Sequence, residues 1–243
     1  METVRERGTL RAKIRLSLIL GTALLALAVI AGTAWALAQP IGAADNTYTG
    51  GSGGLTPTFT MDQGDRPSFS DAGANQHNVT ARGNGPDGKA FFSTPTLNGG
   101  ESATVNGTQY LSAGTYNFFC TIHPTEMQAT LVVTGNGTPQ ARPTATLALR
   151  TKTISKALKK GLLISVSAST QISGATLTAK LGKSTIGKTT TSLASGAQNK
   201  TLKLTKAGKS KLSGKATGKA TAKVTVTADI PFGSPATAKA KLK

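Results

Sequence analysis

The sequence is poor in cysteine and histidine. Cys120 is the only cysteine among 243 residues, and His77 and His123 are the only histidines. A single cysteine excludes an intramolecular disulfide, which small exported β domains often use, and it excludes a two-cysteine haem attachment site. Two histidines leave no room for a centre that needs many imidazoles. These few side chains are therefore informative wherever they cluster.

Acidic residues are also few, and their distribution divides the chain. The sequence has 28 Lys and Arg against 10 Asp and Glu, a net charge of +18. Residues 45–135 carry three basic and seven acidic residues, whereas residues 150–243 carry 19 basic residues and Asp229 alone. Residues 136–146, rich in glycine and proline, predict a flexible linker between two domains. We therefore expect an acidic domain that moves freely beside a basic one.

Aromatic residues are nearly lacking in the basic half, where Phe232 is the only one after residue 147. Lysine also far outnumbers arginine there. The segment therefore has few aromatic side chains for base stacking and few guanidinium groups for bidentate phosphate recognition, and we expect no nucleic acid partner. The dispersed lysines favour an anionic membrane surface or an acidic cell-envelope polymer as partner. The alternative is that they only keep a weakly hydrophobic domain soluble.

The N-terminus has the pattern of an export segment. Arginines and one lysine precede a run of 23 uncharged residues, from Leu16 to Ala38, which predicts an apolar helix. The run is longer than the apolar core of most signal peptides and reaches the roughly 20 residues that span a bilayer. Residues 1–43 are thus either a cleaved signal peptide or a retained membrane anchor. Both place the rest of the chain outside the cytoplasm.

Alternating apolar and polar residues predict short β-strands in both halves, and hence an all-β protein. Residues 44–135 are expected to form a Greek-key β-sandwich, in which Pro67 indicates an edge strand and residues 109–111 form another strand. Residues 147–243 are expected to form a second, immunoglobulin-like β-sandwich. A disordered basic tail is the alternative for this half, because small side chains bury little area.

One short segment combines three kinds of metal-binding side chain. Cys120, His123 and Met127 lie within eight residues, and His77 is the other histidine. A copper site of the electron-transfer kind uses two imidazoles, one thiolate and a weak thioether. Strand alternation places Cys120 on the same inward face as Phe118. The chain therefore contains the inventory that such a site needs.

Each of these residues taken alone also has a more ordinary role. A lone cysteine is often a buried structural residue, and a single histidine or methionine is usually part of a strand or a core. Zinc accepts one cysteine and two histidines, but it has little use for a thioether. A nucleophilic cysteine–histidine pair is the enzyme alternative, and it explains neither His77 nor Met127. The joint spacing favours a metal, and copper over zinc.

These residues resemble the cupredoxins, the small blue copper proteins that include plastocyanin and amicyanin. The resemblance covers roughly residues 45–135. It implies a cupredoxin-like Greek-key β-sandwich that binds one mononuclear copper ion. The loop has three residues between its histidine and its methionine, whereas plastocyanins usually have four and amicyanins two. The ligands that the resemblance implies are His77, Cys120, His123 and Met127.

The resemblance also implies how the surroundings of the site are built. Asn78 follows His77 directly and is expected to join the two ligand segments through the hydroxyl of Thr121. The residues themselves, independently of the resemblance, predict an apolar shell around the sulfur from the ligand segment and its strand: Phe118, Phe119 and Ile122.

The expected function is that of an exported blue copper protein that carries single electrons between redox partners. A copper-binding or copper-buffering envelope module without electron transfer is the alternative. A structural envelope protein that has lost its metal is a third hypothesis, from another class. We do not expect an enzyme, because both histidines are used at the one site. The redox partner is expected to be a protein, which the sequence does not identify.

Overall fold

The computed structural model describes residues 38–217 and 221–243, and the first of its two β domains has eight strands. A 3-10 helix, Thr108–Tyr110, lies before the seventh strand. The strands are β1 (Ile41–Ala44), β2 (Thr47–Thr49), β3 (Thr58–Gln63), β4 (Ser68–Asp71), β5 (Thr80–Ala81), β6 (Ser102–Thr104), β7 (Gly114–Phe119) and β8 (Gln128–Gly137).

The strands of the first domain form two four-stranded sheets, in the orders β2-β1-β4-β6 and β3-β8-β7-β5. The pairs β1–β4 and β3–β8 are parallel, and the other pairs are antiparallel. Every second residue of the main strands points inward, as Phe59 and Met61 do on β3 and Leu131 and Val133 do on β8. One core fills the space between the sheets, which confirms the predicted β-sandwich.

The second domain has seven strands and two helices. Its helices are α1 (Ile154–Lys160) and α2 (Lys206–Thr217). Its strands are β9 (Ala145–Leu149), β10 (Leu162–Ala168), β11 (Ile172–Leu181), β12 (Ser184–Leu193), β13 (Gly196–Leu202), β14 (Ala222–Asp229) and β15 (Ala236–Leu242).

The seven strands of the second domain pair antiparallel in two sheets, β13-β10-β9 and β12-β11-β14-β15. Three and four antiparallel strands are the arrangement of an immunoglobulin-like sandwich. Its core consists mainly of leucine, isoleucine and valine side chains, such as Ile164, Leu177 and Val226, and it is separate from the core of the first domain. These branched aliphatic side chains fill the core of a folded sandwich, so the alternative of a disordered tail is wrong.

The two helices of the second domain differ from the all-strand prediction. Each begins after a threonine whose hydroxyl accepts a backbone N–H: Thr153 from Lys156 (3.3 Å) and Thr205 from Gly208 (2.9 Å). Threonine at this position favours a helix start because it satisfies an otherwise unpaired N–H. Helix α2 buries only Gly208 and Leu212, so its sequence carries almost no helical periodicity of apolar residues.

Three local predictions for the first domain are wrong. Strand β4, after Pro67, lies between β1 and β6 and not at an edge, because the proline precedes the first paired residue. Residues 109–111 lie in and after the 3-10 helix and not in a strand. Residues 41–43, which the sequence pattern assigns to the export segment, lie in β1, and Ile41 and Ala43 are buried in the core.

The connection between the domains also differs from a free linker. Strand β8 extends to Gly137 and β9 begins at Ala145, so both ends of the predicted linker are paired. The residues between them contact both domains: the Gln140 N–H donates to the carbonyl of Gln109 (2.8 Å), and the Thr144 N–H donates to Ser169 Oγ (3.0 Å). Glycine and proline content predicts irregular backbone, but it does not predict whether hydrogen bonds fix that backbone to the neighbouring domains.

The export segment, signal peptide or anchor, lies almost wholly outside the described residues and stays a prediction. Neither helix within residues 38–217 and 221–243 combines the length and the apolarity needed to cross a membrane.

Helix α2 generates a stability prediction, because it contains two glycines in different surroundings. A Cβ on Gly208 would overlap the backbone of Ile186, whereas a Cβ on Gly214 would meet nothing within 4 Å. Alanine at either position gains up to about 1 kcal/mol of helix propensity. We expect Gly214→Ala to stabilise the second domain by that amount and Gly208→Ala to destabilise it by about 1–3 kcal/mol through overpacking. Chemical denaturation of both variants checks this, and equal effects would contradict the close packing.

Candidate metal centre

The loop between β7 and β8 carries three of the four candidate ligands. The pairing of these strands continues for one step beyond them, since the Cys120 N–H donates to the carbonyl of Met127 (3.1 Å). Inside the loop, the Met127 N–H donates to the carbonyl of His123 (2.9 Å). The side chains of Cys120 and Met127 are both buried. Backbone hydrogen bonds thus hold all three residues at one end of the sandwich.

Cys120 and His123 lie at a separation that suits a shared ion. The distance between Cys120 Sγ and His123 Nδ1 is 3.9 Å. For a first-row metal with bonds of roughly 2.0–2.3 Å, two ligand atoms can lie at most about 4.4 Å apart. Cys120 is fully buried, while His123 is partly exposed at the end of the domain. This pair could bind one ion between a buried sulfur and a surface imidazole.

His77 reaches the same place from the segment that precedes β5. Its backbone exchanges two hydrogen bonds with Leu97 (3.1 and 2.8 Å), and its ring centroid lies 5.2 Å from that of His123. The side chain is fully buried. Its Nδ1 lies 2.9 Å from Asp71 Oδ1, and its Nε2 has no hydrogen-bond partner among the described residues. Burying a polar nitrogen without a partner is unfavourable, so Nε2 is available to a ligand.

Asp71 belongs to the site but was not predicted. It is buried at the end of β4, where its Oδ1 faces His77 and accepts the Gly73 N–H (3.0 Å). An ionised carboxylate only accepts hydrogen bonds, so a neutral His77 beside it has its proton on Nδ1 and its lone pair on Nε2. A carboxylate behind a metal-binding histidine orients the ring in this way in many sites. Strand alternation was the sequence signal that could have identified Asp71 as buried, since Phe69 and Asp71 share the inward face of β4.

Asn78 joins the two ligand segments, as predicted. Its Nδ2 donates to Thr121 Oγ1 (2.7 Å), and its Oδ1 accepts the Thr121 N–H (3.0 Å). The carbonyl of Asn78 accepts a hydrogen bond from the hydroxyl of Tyr48 (2.6 Å), a contact that was not predicted. Burial, with a smaller effect from Cys120, raises the pKa of Tyr48 far above its ordinary value, so the phenol stays a donor.

The predicted apolar shell is correct in part. Phe118 is fully buried, and its ring meets those of Tyr48 (5.0 Å) and Phe59 (5.9 Å). Phe119 is partly exposed, with the guanidinium of Arg82 4.6 Å from its ring centroid. Ile122 is 43% exposed and so cannot shield the sulfur. Strand alternation carries Phe118 and Cys120 inward, whereas Ile122 lies in the loop, where alternation no longer applies.

The four candidate residues are neighbours, but they do not form a closed cluster of conventional ligands. Among residues 38–217 and 221–243, no three His, Cys, Asp or Glu side chains are grouped closely enough to hold an ion. The distance between Cys120 and His123 supports a shared ion, and the ring of His77 lies beside that of His123. The side chain of Met127 is buried, and its backbone pairs with that of Cys120.

Comparisons with known proteins give partial similarities to cupredoxins. No family model matches the chain, and no curated protein matches it. A solved structure of a reduced amicyanin variant is 26% identical with a TM-score of 0.32, covering 40% of this chain and 83% of that chain. A Cu(I) form of another amicyanin variant is 25% identical with a TM-score of 0.32, covering 40% and 81%. A purple cupredoxin from Nitrosopumilus maritimus is 20% identical with a TM-score of 0.26, covering 32% and 77%. The likeness is limited, so the candidate site rests on the contacts of this chain.

The hydrogen bonds of Asn78 generate a second stability prediction. Asn78→Ala leaves the Thr121 N–H and three threonine hydroxyls, those of Thr80, Thr96 and Thr121, without their amide partner. We expect the first domain to lose about 1–3 kcal/mol of unfolding free energy, because the segments then lose their connection. Asn75→Ala is the matched control, since Asn75 is exposed and should change stability by less than about 0.5 kcal/mol. Denaturation of the metal-free protein measures both, and equal losses would contradict the role of Asn78.

Proposed function

We propose that the first domain binds one copper ion and carries single electrons. The observation that supports this most is the 3.9 Å separation of Cys120 Sγ and His123 Nδ1, with the ring of His77 beside that of His123. Copper bound by a thiolate, two imidazoles and a weak thioether alternates between Cu(I) and Cu(II), and so would supply one-electron chemistry. The proposed ligands are His77, Cys120, His123 and Met127.

The residues around the proposed ligands have separate tasks. Asp71 orients His77 by accepting a hydrogen bond from its Nδ1–H, and Asn78 fixes the distance between the His77 segment and the Cys120 loop. Phe118 excludes water from the side of the domain core. These contacts hold the ligand segments before any ion binds, and a rigid ligand set favours fast electron transfer because little has to move.

His123 is the proposed route for the electron, because it is the partly exposed member of the set. The exposed residues around it include Ile122 and the carboxylate Glu126, whose pKa is lowered by a hydrogen bond to its own backbone N–H. A redox partner would therefore meet a surface that is apolar with a negative charge at its border. The partner is expected to be a protein.

The colour of the copper-loaded protein tests the proposal. We expect an intense blue Cu(II) form, because a copper–thiolate bond gives strong charge-transfer absorption. Cys120→Ser should abolish the colour, whereas Met127→Leu should keep it and shift the reduction potential. Met61→Leu is the matched control, since Met61 is equally buried but lies on β3, and it should change neither. A colourless Cu(II) adduct of the intact protein would refute the assignment.

The same sample separates electron transfer from copper buffering. An electron carrier should lose its colour when reduced and regain it when reoxidised, without a change in copper content. Release of the copper on reduction would favour the buffering module instead.

We also propose that the second domain binds an anionic phospholipid surface. Five lysines lie on the outer face of the β12-β11-β14-β15 sheet, opposite the core, and Lys223 pairs directly with Lys241. Like charges in opposite positions of a sheet are unfavourable unless an anion lies over them. The one acidic residue of this face, Asp229, lies at the other end of β14. The lysines are Lys180, Lys188, Lys223, Lys239 and Lys241.

A membrane suits this face better than a flexible polymer, because the lysines lie on all four strands of one sheet and can meet a plane together. Each lysine near an anionic bilayer contributes about 1 kcal/mol of attraction. The attraction should fall steeply with salt, since the screening length is roughly 10 Å at 0.1 M. An export segment retained as an anchor would also hold the chain at a membrane.

Charge-neutral substitutions on the sheet face test this role. We expect a quadruple Lys→Gln variant at residues 180, 223, 239 and 241 to bind phosphatidylglycerol vesicles at least about tenfold more weakly at low salt. The matched control carries the same change on the helices, at residues 156, 159, 206 and 209. Equal weakening by both sets would show that only net charge matters. Binding to an acidic polymer but not to vesicles would replace the membrane as partner.

A further inference from the structure

Phe232, the only aromatic residue of residues 147–243, lies at the boundary between the two domains. It stands between β14 and β15, and it is not a member of the core of its own domain. Its backbone φ is 61°, in the left-handed region that a residue with a Cβ rarely adopts. A strained backbone of this kind persists only when surrounding contacts hold it.

The contacts that hold Phe232 come from the first domain and the connecting segment. Its N–H donates to Asp87 Oδ2 (2.8 Å), and its carbonyl accepts a hydrogen bond from Arg142 Nη1 (2.9 Å). Its ring centroid lies 5.9 Å from that of Tyr110. The Arg142 guanidinium also lies 5.6 Å from the centroid of the Tyr110 ring. Both backbone polar groups of Phe232 are therefore satisfied from outside its own domain.

Two glycines, Gly107 and Gly233, are closely packed at the boundary near Phe232. A Cβ on Gly107 would lie 2.8 Å from the Phe232 ring, and a Cβ on Gly233 would overlap the carbonyl of Pro143. Gly107 also has a φ of 105°, which favours glycine for a second reason. The bond from the Gln140 N–H to Gln109 holds the connecting segment against the same 3-10 helix. Glycine at these two positions therefore permits the close packing at the boundary.

Strand direction places this boundary at the end of the first domain opposite the candidate metal centre. Tyr110 lies just before the start of β7, and Cys120 follows the end of β7. Strand β8 runs the other way, from beside Met127 toward Arg142. The six residues of β7 span roughly 20 Å at 3.3 Å per residue. The second domain therefore does not cover the loop that contains His123.

We infer that Phe232 locks the two domains into one rigid body whose free end carries the candidate metal centre. Asp87, Tyr110, Arg142 and Phe232 form the lock. The second domain is then a fixed support, and it holds the first domain in one orientation. The rigidity does not depend on copper binding, but its value for electron transfer rests on the proposed function.

Nuclear magnetic relaxation of the metal-free protein, residues 38–243, tests the lock. We expect backbone amides of both domains to report the same rotational correlation time. Phe232→Gly should separate the two values, because it removes the ring while glycine suits the left-handed backbone and preserves the turn. Arg142→Gln should also separate them, through loss of its bonds to Phe232 and Tyr110.

Arg150→Gln is the matched control, since Arg150 is exposed on the second domain and its side chain, among the described residues, bonds only to Ser165. It should keep one shared correlation time. Different correlation times in the unsubstituted protein would overturn the inference, and so would a shared time in both the Phe232 and the Arg142 variants. If Phe232→Gly unfolds the second domain, the Arg142 variant decides the result. The test uses no copper, so its outcome is independent of the metal assignment.

Discussion

The hydrogen bonds between Asn78 and Thr121 are the interaction on which the candidate site depends. They join segments 43 residues apart, one with His77 and one with Cys120, His123 and Met127. Tyr48 holds the carbonyl of Asn78 from within the core, and Asp71 holds the ring of His77. Because Asn78, Tyr48, Asp71 and His77 are buried, each of their bonds left unmade would leave a polar atom unpaired in an apolar environment. The arrangement therefore holds the proposed ligands through side chains that do not themselves bind the metal.

The sequence predicted what alternation and rare residues encode, and it missed what depends on tertiary contacts. Alternation identified both sandwiches and the inward direction of Cys120, and the Asn78–Thr121 bond was expected from the resemblance. Helix α2 was missed because its contact with β12 uses Gly208, which leaves no apolar period. Asp71 was missed because a buried carboxylate looks like any other strand residue until His77 lies beside it. The contacts of Phe232 with the first domain were equally invisible, since they join residues 90 and 145 positions apart.

The two domains carry net charges of opposite sign. The first carries a net charge of −4 between residues 45 and 135, and the second carries +18 between residues 150 and 243. If Phe232 fixes the domains to one another, an anionic surface would attract one end of the molecule and repel the other. A flexible linker would give the same charges without this orientation.

X-ray absorption at the copper edge, on protein loaded with one equivalent of copper, tests the central claim most directly. The account predicts one thiolate sulfur and two imidazole nitrogens around the ion in both oxidation states, with the thiolate contribution lost in Cys120→Ser. A copper environment of nitrogen and oxygen alone in the intact protein would contradict it, because the ion would then lie away from Cys120.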